Sequence, residues 1–252
     1  MNDSIRAKPP GKVAKKKKVT PVAPASAFAP VPAPAKRARR GVVGPVAVQR
    51  RQRQVEEKRG AILDAALTLF SQKGVHGASV DQVAALADVS KGNLLYYFAS
   101  KEELYVSVLR KLLALWLEPL REFSVSQEPE QAIGEYIRRK LEASRDNPQA
   151  SRLFCLELVQ GAPLFGEELS RELRDLVDRK AEVILGWVAS GKLSAVEPHH
   201  LIFTLWSVTQ HYADFAVQVE ALTGRTLADP LFFEEVLGNV RGIVLFGVLP
   251  RG

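Results

Sequence analysis

The sequence predicts an all-α protein preceded by a basic, disordered tail. Three observations carry that expectation. From residue 55 onward apolar residues recur at spacings of three and four. The stops between these runs are chemical: Gly74, Asp146-Asn147-Pro148, Gly161-Ala162-Pro163, Gly191, Gly224 and Pro250. No alternating run of β-branched residues competes with the helical pattern.

The composition supports a folded body. Of the 252 residues, 46% are hydrophobic and 25% charged, which excludes wholesale disorder and leaves enough chain for a buried core. No stretch approaches the roughly 20 apolar residues of a spanning helix, so no membrane partner is expected. Cys155 is the single cysteine; it excludes an intramolecular disulfide and a polythiolate zinc site, and it suits a reducing cytoplasm.

Charge is distributed unevenly. Residues 1–54 hold 14 Lys and Arg against Asp3 alone, leaving 21 basic and 27 acidic residues in the other 198. Eight of the 15 prolines lie in this first segment. Runs such as Lys15-Lys16-Lys17-Lys18 and Lys36-Arg37-Ala38-Arg39-Arg40, separated by Pro/Ala stretches, cannot build a core. Residues 1–54 therefore read as a disordered tail with polyproline II character. The tail lacks the continuous apolar region of a secretory signal. It suits non-specific attraction to nucleic acid phosphates, against the plainer reading of a solubilising extension.

The helices follow in order. In the first, from Val55 to Ser71, Ile62, Ala65, Ala66, Leu69 and Phe70 line one face, and Gly74 is expected as a left-handed cap. Ser79 is an N-cap with Gln82 completing a capping box, and this short second helix ends near Asp88. Ser90 caps a third helix over Lys91–Phe98, and Ser100 caps a long fourth helix from Lys101 to Leu117. Further helices are expected at about Pro129–Arg145, Pro148–Gln160, Leu164–Ser190, Pro198–Leu222 and Asp229–Phe246.

Three short helices with a tight turn between the second and third form a helix-turn-helix arrangement, here assigned to residues 55–101. Val83, Ala84, Ala87, Leu94 and Phe98 would hold it together. Lys91, Gly92, Asn93, Tyr96 and Tyr97 would then lie near the exposed side that meets a major groove. Asn can bond adenine in bidentate fashion, Lys can reach guanine or phosphate, and Tyr hydroxyls and the helix starts at Ser79 and Lys101 suit phosphate oxygens. The plainer alternative is that one tyrosine seals the domain and Lys101 is a solvated first-turn residue.

Around these residues the sequence resembles the TetR family of transcriptional regulators. The likeness runs from about Ala61 to Leu109 through AALTLFSQKGVHGASVDQVAALADVSKGNLLYYFASKEELYVSVL. It implies that Ser79, Ser90, Lys91, Asn93, Tyr96, Tyr97 and Lys101 occupy DNA-contacting positions. It also implies a palindromic double-stranded operator and a bacterial, nucleoid-associated setting in the cytoplasm. In the second domain, residues 102–252, YIRRKLEASRDNPQASRLFCLELVQGAPL, GWVASGKL and HLIFTLWSVTQHYADFAVQVEALTG resemble the pyrimidine-responsive branch of that family. This likeness implies uracil or thymine as effector and a mainly repressing regulator that the pyrimidine releases from DNA.

Residue chemistry gives a pocket independently. Trp206, Gln210 and Asp214 stand at i, i+4 and i+8, near one face of a helix. A flat pyrimidine needs a stacking plane and paired donors and acceptors, which Trp206 and the Gln210 amide supply. Trp116 with Leu113 and Leu117 would close the other side, and Lys140 and Phe154 are weaker candidates. The competing reading makes both tryptophans ordinary core. Asp214 is left open between an ion pair with Arg145 or Arg152 and a cap on a buried donor.

Enzymatic readings fare poorly, and neither a cofactor nor a metal is expected. His199 and His200 point about 100 degrees apart on a helix and cannot form an i, i+4 metal pair. No serine–histidine–acid constellation or glycine-rich phosphate loop occurs. A homodimer is expected, with Leu201, Leu205, Val208 and Tyr212 on one helix and Val236, Leu237, Val240 and Val244 on the next forming a four-helix interface. Two rivals stand beside this reading: the same architecture answering another small aromatic ligand, and an architectural DNA-binding protein driven by the tail.

Overall fold

The computed structural model describes residues 45–250. Of the disordered tail expected over residues 1–54, residues 1–44 lie outside the described residues, and residues 45–54 are helical and not disordered. All regular structure among the described residues is helical, in ten elements.

The first, α1 (Pro45–Gly77), begins ten residues earlier than the apolar pattern indicated. Pro45 stands at the first helical position, where its missing donor is no loss. The Gln- and Arg-rich stretch after it consists of good helix formers that carry no apolar stripe. Periodicity could not detect such a segment. At Gly74 the backbone leaves the helical region, with φ 68° and ψ 170°, a conformation that favours glycine.

Two short helices follow, α2 (Val80–Leu86) and α3 (Lys91–Tyr97), each entered through its serine cap. The Ser79 hydroxyl accepts from the Gln82 amide and the Gln82 side chain accepts from the Ser79 amide, completing the expected box. Val83, Ala84, Leu94 and Phe98 are buried against Ile62, Ala66 and Phe70 of α1, while Ala87 is only half-buried.

The spine is α4 (Lys101–Arg121). It packs on α1 at one end and on α5 (Pro129–Asp146), α6 (Pro148–Val159) and α7 (Gly166–Ala189) further along. The sequence places its end at Leu117, yet the helix runs through Pro119 to Arg121. Buried Leu120 and Phe123 hold this last turn in the core despite the hydrogen bond a proline cannot make.

The segment expected as a single helix over Pro198–Leu222 is two, α8 (Pro198–Asp214) and α9 (Ala216–Thr223), broken at Phe215. The redirected chain brings Val219 into the core. Gly224, with φ 67°, then closes α9, and α10 (Pro230–Val248) completes the body by packing on α5 and α8.

This packing corrects the expected association surface. Leu201, Leu205, Val236, Leu237, Val240 and Val244 are buried within the single chain, and Val208 and Tyr212 are half-buried. The apolar side chains left outward on α8 and α10 are instead Phe203, Leu231, Ile243 and Phe246. Val208 and Tyr212 stay partly open and line a groove with Val240 and Val244, so the expected surface is corrected for its buried members only; both faces of each helix are apolar, which is why sequence alone did not separate them.

Candidate functional site

Two regions gather the residues that the sequence singled out. In the first, α3 presents an outward face. Tyr96 is 81% exposed and meets Tyr97 edge-on at 5.4 Å, while Tyr97 packs partly against the core. Of the pair, Tyr97 therefore seals the domain and Tyr96 stands free. Lys91 is exposed and pairs with Asp81 at 2.9 Å across the α2–α3 turn. Both partners are largely solvated, so the pair is worth little and can be exchanged for another anion. Asn93 is half-buried, its amide nitrogen donating to the Ser90 cap at 3.1 Å. A side chain added at Gly92 would meet only open space, so no packing within the chain demands glycine there.

The hydroxyls of Ser79 and Ser90 accept cap bonds through their oxygens and keep their protons for another acceptor. Lys101 turns inward, donating from Nζ to the Ala78 carbonyl at 3.2 Å. It braces the start of α4 against the α1–α2 connection.

In the second region, Leu113, Trp116 and Leu117 from α4, Lys140 from α5, Phe154 from α6, and Trp206 and Gln210 from α8 line one cavity. All seven side chains expected at a ligand site thus share a single wall system. Leu158 and Leu173 complete the lining; they were missed because a lone leucine on an apolar face carries no signal. The cavity measures about 70 Å³. Larger hollows lie elsewhere: about 160 Å³ between the ends of α4 and α5, and about 330 and 420 Å³ along α8–α10. The α8–α10 hollows are open grooves; the small cavity joins two tryptophan planes to the buried Lys140 ammonium and Trp116 N–H, while the hollow at the ends of α4 and α5 holds Phe123 and the buried, unpartnered Tyr136 hydroxyl.

Those polar atoms set its chemistry. Lys140 is buried, with Nζ 4.7 Å from the centre of the Trp116 ring. Burial lowers its pKa to about 7, and the nearby Asp214 carboxylate only partly opposes the fall. The Trp116 Nε1 is buried without a hydrogen-bond partner among the described residues. An ammonium and an indole N–H beside an amide make the cavity rich in donors.

Asp214 stands behind the wall rather than in it. It accepts a hydrogen bond from Ser151, while Arg145 pairs with its neighbour Asp146 at 2.7 Å and stacks on Phe233. Asp214 therefore caps a buried donor and forms no bridge to Arg145. Burial raises its pKa against the lowering effect of Ser151, Cys155, Lys140 and His211. The Cys155 thiol is pushed up by burial and by Asp214. Outside this cavity, His199 is half-buried and bonds Glu197 at 2.9 Å and Asp178 at 3.4 Å.

A reading head on short capped helices, joined by one long helix to a small cavity, is the geometry on which the comparisons bear. Residues 62–108 match the family described as bacterial regulatory proteins, tetR family. Residues 109–251 match the C-terminal region of YcdC-like proteins. The chain belongs to the TetR family. This regulator is 56% identical over 202 residues to the HTH-type transcriptional regulator RutR of Escherichia coli O157:H7, covering 80% of this chain and 95% of the relative. RutR of strain K12 matches to the same extent. Among solved structures, a transcriptional regulator from Rhodococcus sp. Rha1 superposes with a TM-score of 0.57 at 21% identity, covering 77% of this chain and 99% of that one. At that identity the likeness speaks for the fold alone. Among the described residues no helix of the TetR-family chain is long and apolar enough to cross a membrane.

Proposed function

We propose that the protein is a dimeric repressor that binds a palindromic operator through α3 and releases it when uracil or thymine enters the cavity between α4, α5, α6 and α8. The observation that carries this reading is the convergence of Trp116, Lys140, Trp206 and Gln210 on one small cavity. Two aromatic planes suit a flat ring. The Lys140 ammonium and the free Trp116 N–H suit its carbonyl oxygens, and the Gln210 amide can serve an adjacent N–H and C=O together. The small volume favours a single ring over a long or multi-ring ligand. The resemblance to RutR supports the same ligand class.

Two reading heads are needed because one helix-turn-helix unit reads only a few base pairs. The outward apolar residues of α8 and α10 supply the surface on which a second copy docks. Release is linkage: effector and operator favour different spacings of the heads, and α4 touches both sites. Its Lys101 end braces the reading head and its Trp116 end walls the cavity. The protein acts on the bacterial chromosome in the cytoplasm.

The deciding experiment is a uracil titration followed by tryptophan fluorescence, alone and with operator DNA bound. Saturable quenching with DNA release is expected. An operator affinity unchanged by saturating uracil and thymine removes the pyrimidine switch and leaves the DNA-binding regulator.

A further inference from the structure

The reading head uses α1 only from about Arg59 onward. Residues 49–58 of the same helix are exposed throughout. They include Arg50, Arg51 and Arg53, and among the described residues none of the three has an ion pair or hydrogen bond. Glu56 and Glu57 lie closer to the body and leave the arginines unpaired. The extension carries no apolar stripe, so it does not dock on a protein core.

Its place in the fold gives the cations a direction. Arg59 lies over the Phe98 ring at 5.2 Å, and Phe98 caps the C-terminal end of α3. The free part of α1 therefore leaves the body beside the helix that reads the groove. A helix that continues from a packed one needs no separate nucleation, so the arginines project as a rod and not as a loose chain. At 3.6 residues per turn, Arg50, Arg51 and Arg53 fall within an arc of about 160 degrees. From Arg59 to Arg50 the rod spans about 13 Å, or roughly four base pairs of duplex.

We infer that this projecting part of α1 is a second DNA contact, in which Arg50, Arg51 and Arg53 meet phosphates of the duplex flanking the operator. The inference rests on the operator reading above. The partner is committed by charge and by position: three unpaired guanidinium groups continue an interface already facing a polyanion. The contact adds affinity and salt dependence without base information.

The test is operator binding by the full-length protein across a salt series, on a duplex trimmed to the palindrome and on one with about six extra base pairs at each end. The triple variant R50Q/R51Q/R53Q keeps helix propensity, which circular dichroism checks. A second variant, K16Q/K17Q/K18Q, removes the same charge from the tail. On the long duplex the arginine variant is expected to bind roughly tenfold more weakly. Its salt slope is expected to flatten by about 0.9 for each lost phosphate contact. On the trimmed duplex, parent and arginine variant should converge. Equal binding and equal slope on the long duplex would overturn the contact. So would an equal, flank-dependent loss in the lysine variant, which would make the effect one of net charge. Failure of the parent to prefer any palindrome would instead strike the operator reading itself, and this contact with it.

Discussion

The Tyr105 hydroxyl donates a 2.9 Å hydrogen bond to the Glu157 carboxylate at a buried meeting point of α4 and α6. On its other side the Tyr105 ring meets Phe70 of the reading head edge-on at 5.2 Å. Glu157 also accepts from the Leu164 amide at 3.2 Å, and Phe154 and Leu158, within one turn of it on α6, line the cavity. One tyrosine thus bridges the reading head to the helix carrying part of the cavity wall. Burial and Glu157 together push its pKa upward, so it stays a donor across the working range.

Replacing Tyr105 with Phe should leave a buried acceptor one partner short, at a cost of about 1–3 kcal/mol in unfolding free energy. It should also weaken the effect of effector on operator affinity more than it weakens either binding event alone. Urea unfolding and a double titration read the two effects. Unchanged coupling would show that α6 takes no part in transmission.

Gln210→Leu should abolish pyrimidine-driven release while leaving operator affinity within about twofold, because α8 packs chiefly on α5, α6 and α7. Fluorescence titration combined with gel-shift binding decides it. A variant that still responds to uracil would place the amide outside the recognition set.

Lys140 links stability to pH. Its folded pKa, lowered to about 7 by burial, lies below the unfolded value near 10.4. Between those values the unfolded chain binds more protons, so stability should rise as pH climbs from about 7 to 10 and stay level with respect to this group below 7. Lys140→Met should remove that rise in urea unfolding curves. The ammonium is also the stronger donor, so uracil affinity should decline above pH 7 in the parent and stay flat in Lys140→Met.

Asn93→Ala should weaken operator binding by about 1–3 kcal/mol and relax preference at one position of each half-site, as loss of a base contact does. Selection from a randomised operator library reads both. A uniform loss at every position would recast Asn93 as a phosphate contact.

Phe203→Asp with Ile243→Asp should convert a dimer to monomers, since both side chains are exposed on α8 and α10. Sedimentation velocity measures the change, and operator affinity should fall with it. An unaltered sedimentation coefficient would move the interface elsewhere.

Much of this was legible in the chain because its signals are local. Ser79, Ser90 and Ser100 each cap the helix expected of them, since a hydroxyl reaches only the next few amides. Gly74, Gly161, Gly191 and Gly224 all take positive φ at the stops read from sequence. The cavity residues were recognisable because a tryptophan and an amide one turn apart are an unusual choice for plain core. The extension of α1 was not, because a helix without an apolar stripe has no period to detect. The break at Phe215 and the passage of α4 through Pro119 escaped for a different reason: packing outweighed local preference.

The sequence by itself determined the helical class, the capped reading head and the chemical character of the pocket, all of which follow from neighbours within a few residues. Only the tertiary structure decided which apolar face of α8 and α10 is core and which is left outward. It alone turned Lys101 inward to Ala78 and placed Asp214 behind the wall with Ser151. It alone set Lys140 over Trp116. Each of these joins residues distant in sequence, and a side chain with several chemically acceptable partners takes the one that packing brings within reach.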